Sequence, residues 1–182
     1  SVNVDEMLMQ ILRVSSEMLC DRGLSIVDRA PNVEEVYARM EDQRPVVVGE
    51  HAECQTRIIF LPDERVAVRI VRQLMEGSAF HCTIFVSLEG PTSFTSKEYT
   101  STDIQYFKYK DLCVNVTRHA CVPRHRLFRG TPPFEDTAVY PKLLRTDRVA
   151  EYYGFQVGDL VSIERRFGVP EQEDYLRIVV AA

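Results

Sequence analysis

The stretch RIIFLPDERVAVRIVRQLMEGSAFHCTIFV, residues 57–86, decides the fold. Arg57-Ile58-Ile59-Phe60-Leu61 is an apolar run of strand length, closed by the turn pair Pro62-Asp63. From Val66 to Met75 the period changes. Val66, Ile70, Val71, Leu74 and Met75 recur at helical spacing, with Arg65, Arg69 and Arg72 on the opposite side, so this segment reads as a helix with one buried face. Cys82-Thr83-Ile84-Phe85-Val86, rich in β-branched and aromatic residues, returns to strand. A strand, a helix and a strand in succession indicate an α/β architecture.

The same reading extends outward. From Asp5 to Asp21 the apolar residues Met7, Leu8, Ile11, Leu12, Val14, Met18 and Leu19 predict a helix, with Gly23 as its C-terminal stop. Asn32 as N-cap, with Glu35 three residues on, opens a second helix that buries Val33, Val36, Tyr37 and Met40, and Pro45 ends it. Val46-Val47-Val48 reads as a strand. Gly90 to Thr102 is polar and reads as a loop with one helical turn, and Ile104–Tyr109 and Leu112–Val116 read as strands. The expected fold is α/β: a mixed sheet with helices over residues 1–116, then a small α/β domain over 117–182. In the second unit Pro123, Gly130, Pro132 and Pro133 predict irregular chain over 122–135. Thr146 to Gly154 reads as a short helix with Thr146 as N-cap and Gly154 as stop. Gly158-Asp159 is a turn, followed by strands over Leu160–Arg165 and Tyr175–Val180.

Composition bounds the function classes. The chain has 182 residues, 45% hydrophobic and 27% charged, with only 8 Gly and 9 Pro, so it is globular in composition. No window has the roughly 18 uninterrupted apolar residues of a membrane span. The acidic N-terminus lacks the basic-then-apolar order of a secretory signal. The 22 basic against 27 acidic residues, net charge -5, argue against an autonomous nucleic-acid binder. Charge is uneven, however: residues 1–116 carry 12 basic and 18 acidic side chains, and 117–182 carry 10 and 9. Between Leu112 and Phe134 no acid occurs, while Arg118, Arg124, Arg126 and Arg129 fall there with His119 and His125. Such a patch suits docking on an acidic partner, with a solvated loop as the alternative. Five scattered cysteines (Cys20, Cys54, Cys82, Cys113, Cys121), mostly inside apolar runs, predict buried reduced thiols in an intracellular protein.

Three kinds of chemistry are conceivable, and each lacks a part. Cys113, His119, Cys121 and His125 carry zinc-type donors, but they lack a close Cys-x(2–4)-Cys pair, and Cys113 is expected mid-strand. No Gly-x-Ser-x-Gly elbow or glycine-framed cysteine marks a hydrolase. Pro62-Asp63 after a strand would suit a Mg²⁺ nuclease, which also needs an acid two residues before a lysine. Lys97, Lys108, Lys110 and Lys142 are preceded at that spacing by Thr95, Tyr106, Lys108 and Tyr140. Neither a catalytic residue, a metal nor a cofactor is therefore assigned. A small-molecule substrate and a membrane are likewise not expected as partners.

The C-terminal unit carries a recognisable pattern. His119-Ala120-Cys121-Val122-Pro123-Arg124-His125 and the run from Tyr140 through Asp147-Arg148-Val149-Ala150-Glu151-Tyr152-Tyr153-Gly154 to Gly158-Asp159-Leu160-Val161-Ser162-Ile163 resemble one family. That family is the fifth-largest subunit shared by the nuclear RNA polymerases I, II and III, whose C-terminal domain stands alone as a small subunit of the archaeal polymerase. The resemblance continues through Glu17–Gly23 and Phe107–Val116 and so covers nearly the whole chain. It implies a noncatalytic structural subunit located in the nucleus. Its C-terminal assembly domain would anchor on the largest subunit and its N-terminal jaw would lie beside downstream duplex DNA. The family's jaw resembles a nuclease fold without a working site.

Residue roles carried by the resemblance are of two kinds. His119, Pro123, His125, Asp147, Tyr153, Gly154, Gly158, Arg165 and Arg177 fall at assembly positions; for the two arginines ordinary edge-strand solvation is the other reading. Gly90-Pro91-Thr92-Ser93-Phe94 corresponds loosely to a family turn near DNA, so Pro91, Thr92, Ser93 and Lys97 are DNA-proximal candidates. A plain surface loop is the alternative there. Departures from the family are Arg148 after Asp147, Phe167–Glu171 in place of a Ser-x-Thr-(Ala/Ser)-Gly turn, Leu176 before Arg177, and a shortened segment between His125 and Pro141. They suggest a diverged paralogue dedicated to one polymerase class, polymerase I, which would place it in the nucleolus. A free-standing protein-binding adaptor with an inactive nuclease-like domain is the competing function.

Overall fold

A computed structural model of the chain describes residues 3–165 and 174–182. The altered turn Phe167–Glu171 lies outside the described residues. The chain divides into two compact units, Ser1–Val114 and Asn115–Ala182, each a mixed α/β structure.

The first unit is a five-stranded sheet in the order β1-β2-β3-β4-β5. The strands are β1 (Ser25–Arg29), β2 (Val47–His51), β3 (Cys54–Phe60), β4 (Cys82–Ser87) and β5 (Ile104–Lys108). Pairing is antiparallel across β1, β2 and β3 and parallel across β3, β4 and β5. Helices α3 (Val68–Met75) and α4 (Ser93–Glu98) fill the two parallel crossovers. Being covered on both faces, β3 and β4 bury continuous runs, which is why they read as apolar blocks without alternation. Ile59 and Phe85 pack with Val66, Ile70, Val71 and Ile104 under α3. Their strand neighbours Ile58, Phe60, Ile84 and Val86 point to the opposite face and are equally buried.

Helix α1 (Val4–Asp21) is capped by the Asn3 side chain and ends where Gly23 takes φ 88. It buries Leu8, Ile11, Leu12, Val14, Met18 and Leu19 and packs beside β1 and β2. Gly49 on β2 permits that approach: a Cβ there would lie 3.0 Å from Leu24 Cβ and 3.3 Å from Leu19 Cδ1. Helix α2 (Val33–Glu41) starts at Asn32, whose side chain accepts the Glu35 amide. The Glu35 carboxylate turns to Arg39 at 3.0 Å, and Arg39 also binds Asp28, fastening the helix to β1. Tyr37, expected in the core, is 42% exposed and donates its hydroxyl to Asp5, because its face of α2 looks away from the sheet.

The second unit holds a four-stranded sheet in the order β6-β8-β9-β7. Its strands are β6 (His125–Leu127), β7 (Lys142–Leu144), β8 (Leu160–Ile163) and β9 (Tyr175–Val180). Only the β7–β9 pair is parallel. Helix α5 (Arg148–Tyr153) covers a core of Leu143, Ala150, Phe155, Val161, Ile163 and Val179. Between Phe128 and Pro141 the one regular element is the 3₁₀ turn Thr137–Val139.

Several expectations are corrected. Leu112–Val116 is not a strand. After β5 the chain forms a 3₁₀ turn at Tyr109–Leu112, where the Asp111 carboxylate accepts the Lys108 amide at 3.1 Å. It then forms a second turn at Val116–Arg118, begun by the Asn115 side chain on the Thr117 amide. Cys113 is consequently outside any strand. None of the five cysteines is buried: Cys20, Cys54 and Cys121 are exposed and Cys82 and Cys113 partly so. The N-cap of α5 is Asp147, not Thr146. Strands β1, β6 and β7 appear where none was expected.

Candidate functional site

The C-terminal candidates fall into three groups. Asp147 and Gly154 bracket α5: Asp147 Oδ1 accepts the amides of Val149 at 2.9 Å and Ala150 at 3.4 Å, and Gly154 closes the helix in the left-handed region at φ 68. Tyr153 stacks on Phe155 with ring centroids 5.2 Å apart, edge-on to Tyr152. Tyr152 is buried and its hydroxyl accepts a hydrogen bond from Asn115. Gly158 takes φ 95 and donates to Val179 O at 2.9 Å, so the turn before β8 is tied to β9.

Arg165 and Arg177 are brought together by Tyr175. Their guanidinium carbons lie 5.6 Å and 5.7 Å from its ring centroid. Arg177 also donates to Lys142 O at 3.1 Å, joining β9 to β7. Of the histidine pair, His125 opens β6, at the opposite edge of the sheet from β7, and His119 follows the 3₁₀ turn Val116–Arg118. His125 is buried and its Nδ1 lies 2.8 Å from Pro123 O, while His119 Nδ1 accepts the Cys121 amide at 3.1 Å. Among the described residues no three His, Cys, Asp or Glu side chains are grouped to hold a metal ion.

The sequence reading missed a groove in this unit. It has a volume of about 830 Å³ and is lined by Leu127, Pro133, Phe134, Val139, Tyr140 and Tyr175, with Arg126 and Asp174 at its polar side. Phe134 is 59% exposed and is held by Tyr140, whose hydroxyl bridges the Phe134 amide and carbonyl. Asp174 accepts hydrogen bonds from Arg126 at 2.8 Å and Ser162 at 3.0 Å, and these hold its carboxyl below the usual range. Phe134 beside Pro132-Pro133 was the available signal, since an aromatic in a breaker-rich segment has no core to enter.

In the N-terminal unit, Pro91 forms a parallel bridge to Val66. Thr92 caps α4, its hydroxyl meeting the Thr95 amide at 3.1 Å and the Thr95 hydroxyl at 2.7 Å. Thr95, fully buried, donates onward to Val66 O at 2.8 Å. The Thr92 hydroxyl is thus engaged in holding the turn, while Ser93 and Lys97 are exposed. Asp63, the carboxylate of the nuclease comparison, is exposed as well. Among the described residues no helix is long and apolar enough to cross a membrane.

Comparison with known proteins bears on the whole chain. No family model matches it. It is similar to DNA-directed RNA polymerase V subunit 5A of Arabidopsis thaliana, 25% identical over 90% of this chain and 83% of that protein. It is similar also to the rpabc1 subunit of DNA-directed RNA polymerases I, II and III of Dictyostelium discoideum, 25% identical over 87% of this chain and 89% of that protein. Residue pattern and comparisons point the same way: over most of its length the chain is similar to subunits of DNA-directed RNA polymerases.

Proposed function

We infer that the chain is a noncatalytic structural subunit of a nuclear DNA-directed RNA polymerase. The observation that carries this reading is the coverage of the two similar proteins, both polymerase subunits by name and each matched over more than four-fifths of its length. A shared module would match only a part.

In this reading Asn115–Ala182 is the assembly domain and anchors on the largest subunit, and Ser1–Val114 is the jaw beside downstream DNA. The apolar groove around Phe134 and Tyr140 suits an assembly role, because exposed aromatics at a concave surface are stabilised by burial against a partner. Asp147, Gly154 and Gly158 would act by holding α5 and its following turn in shape. Arg165, Arg177 and His125 would act at the sheet surface and edge. The divergence at Arg148 and Leu176 favours service to a single polymerase class, with polymerase I and a nucleolar site as the specific proposal.

Cross-linking of the natively purified assembly tests the anchoring. Lys142, exposed on β7, is the one lysine after residue 110 in the sequence. Cross-links from Lys142 to the largest subunit of a polymerase are expected. Cross-links from Lys142 solely to proteins that are not polymerase subunits would sink the anchoring.

A further inference from the structure

A second concave apolar surface lies within the N-terminal unit, at the end of the sheet where β3, β4 and β5 finish. It has a volume of about 460 Å³. Helix α1 contributes Val4, Met7 and Leu8, which are neighbours at helical spacing. Helix α2 contributes Tyr37, Met40 and Glu41 in the same way. Pro62, Leu88 and Tyr109, each just past the end of a strand, close the third side. Val4 and Leu88 are 55% and 53% exposed, so the folded unit leaves apolar surface open here. The walls are preformed. The Tyr37 hydroxyl donates to Asp5 at 2.7 Å, tying α2 to the first turn of α1, and the Tyr109 hydroxyl donates to Leu61 O.

The surroundings of this groove are acidic. Within three positions of a lining residue in sequence, Glu6, Glu34, Glu41, Asp63 and Glu64 are exposed and form no ion pair among the described residues. Arg65 and Lys110 are the exposed bases in the same condition, since Arg39, Arg44 and Lys108 are ion-paired. Burial raises the pKa of the Tyr109 hydroxyl and the Asp63 charge raises it further, which sets Asp63 at this end of the groove.

We propose that this groove docks an amphipathic helix of a partner protein, one that presents an apolar stripe flanked by lysine or arginine. The proposal goes beyond the polymerase reading and does not rest on it. Three observations select this occupant. No lining residue belongs to a strand, so the groove has no sheet edge for an extended chain to pair with. The lining holds few polar groups, and the Tyr37 hydroxyl is already engaged with Asp5. An incoming backbone must therefore satisfy its own hydrogen bonds. A helix does so, and its side chains at positions i, i+3, i+4 and i+7 can enter between α1 and α2. The unpaired acids around the groove repel an acidic partner and attract a basic one, which sets the sign of the flanking charges.

The test measures binding of the full chain to a fluorescent model peptide of about 14 residues by anisotropy. The peptide carries leucine on one helical face and lysine on the other, and a twin with glutamate in place of lysine is the charge control. The lysine peptide should bind about tenfold more tightly than its twin. The double variant Val4→Asn, Leu88→Asn removes exposed apolar surface without adding charge and should weaken binding about tenfold. Val27→Asn, at an exposed position on β1 outside the lining, should leave binding unchanged. The triple variant Glu6→Gln, Glu41→Gln, Glu64→Gln should weaken binding and flatten its salt dependence. It keeps the test valid should the apolar pair disturb the start of α1. No binding of the lysine peptide, equal binding of the two peptides, or undiminished binding in the Val4–Leu88 variant overturns the proposal. So does an equal loss in Val27→Asn. A concentration-dependent dimer of the chain alone, broken by the Val4–Leu88 variant, overturns it too and assigns the groove to a second copy.

Discussion

Asp147 shows how one side chain can determine where a motif begins. The helix it opens has only six residues, too short to persist on intrinsic propensity, so its cap carries a large share of its stability. Asp147→Ala is expected to destabilise the C-terminal unit by about 1 kcal/mol, with Asp147→Asn recovering most of the loss, read by chemical denaturation. Gly154→Ala should cost about 1 kcal/mol independently, since it forces a side chain into the left-handed region. Asp174 gives a pH dependence of definite sign. Its folded pKa is depressed by Arg126 and Ser162, so the stabilisation it contributes is complete above the ordinary carboxylate pKa. It is lost as pH falls through the lower, folded value. In Arg126→Ala the loss of stability on acidification should be smaller than in the wild type; an equal loss would deny Arg126 that role. Reading Thr146 as the cap came from the same chemistry one residue early, because two adjacent capping residues leave the choice to the backbone.

At the scale of elements, Arg57 is a clamp inside the sheet. Its Nε donates to the buried Thr83 hydroxyl at 2.8 Å and its Nη2 to Leu74 O near the end of α3, while the guanidinium lies 4.6 Å from the Phe80 ring centroid. Arg57→Ala should destabilise the N-terminal unit by about 2–3 kcal/mol, because it leaves a buried hydroxyl and a helix carbonyl without a charged donor. Arg57→Lys should recover little, since one ammonium cannot span both acceptors in the same geometry. Equal stability of the alanine variant and the wild type in denaturant would contradict the clamp. Elements buried on two sides were legible from sequence: β3, β4, α1 and α3 advertise themselves by apolar blocks or helical period. The illegible ones are short or on an edge. Strand β1 is mostly exposed and bulges between Ile26 and Asp28, which erases alternation. Strands β6 and β7 have three residues each, fewer than any periodicity can register. Leu112–Val116 misled for the opposite reason, being apolar in composition while Asp111 and Asn115 turned the backbone away from the ladder. For the candidate sites, the resemblance supplied positions such as Gly154 and Arg177 that no local pattern marks as functional. The groove at Phe134 needed three dimensions, because its walls come from five separated segments.

At the scale of the whole molecule, the central claim is the proposal that the chain is a polymerase subunit, supported by its similarity to two such subunits over most of its length. The second unit carries an apolar groove lined by Leu127, Phe134, Tyr140 and Tyr175, a surface suited to burial against a partner. The measurement that tests this most directly is to tag the chain in its native cell, purify it at moderate salt and identify stoichiometric partners by mass spectrometry. The expected partners are the large subunits of a nuclear RNA polymerase in equal amount with the chain, and those of polymerase I alone if the paralogue is dedicated. Large subunits of all three polymerases would remove the dedication and keep the subunit. A stable complex containing no polymerase subunit would contradict the central claim.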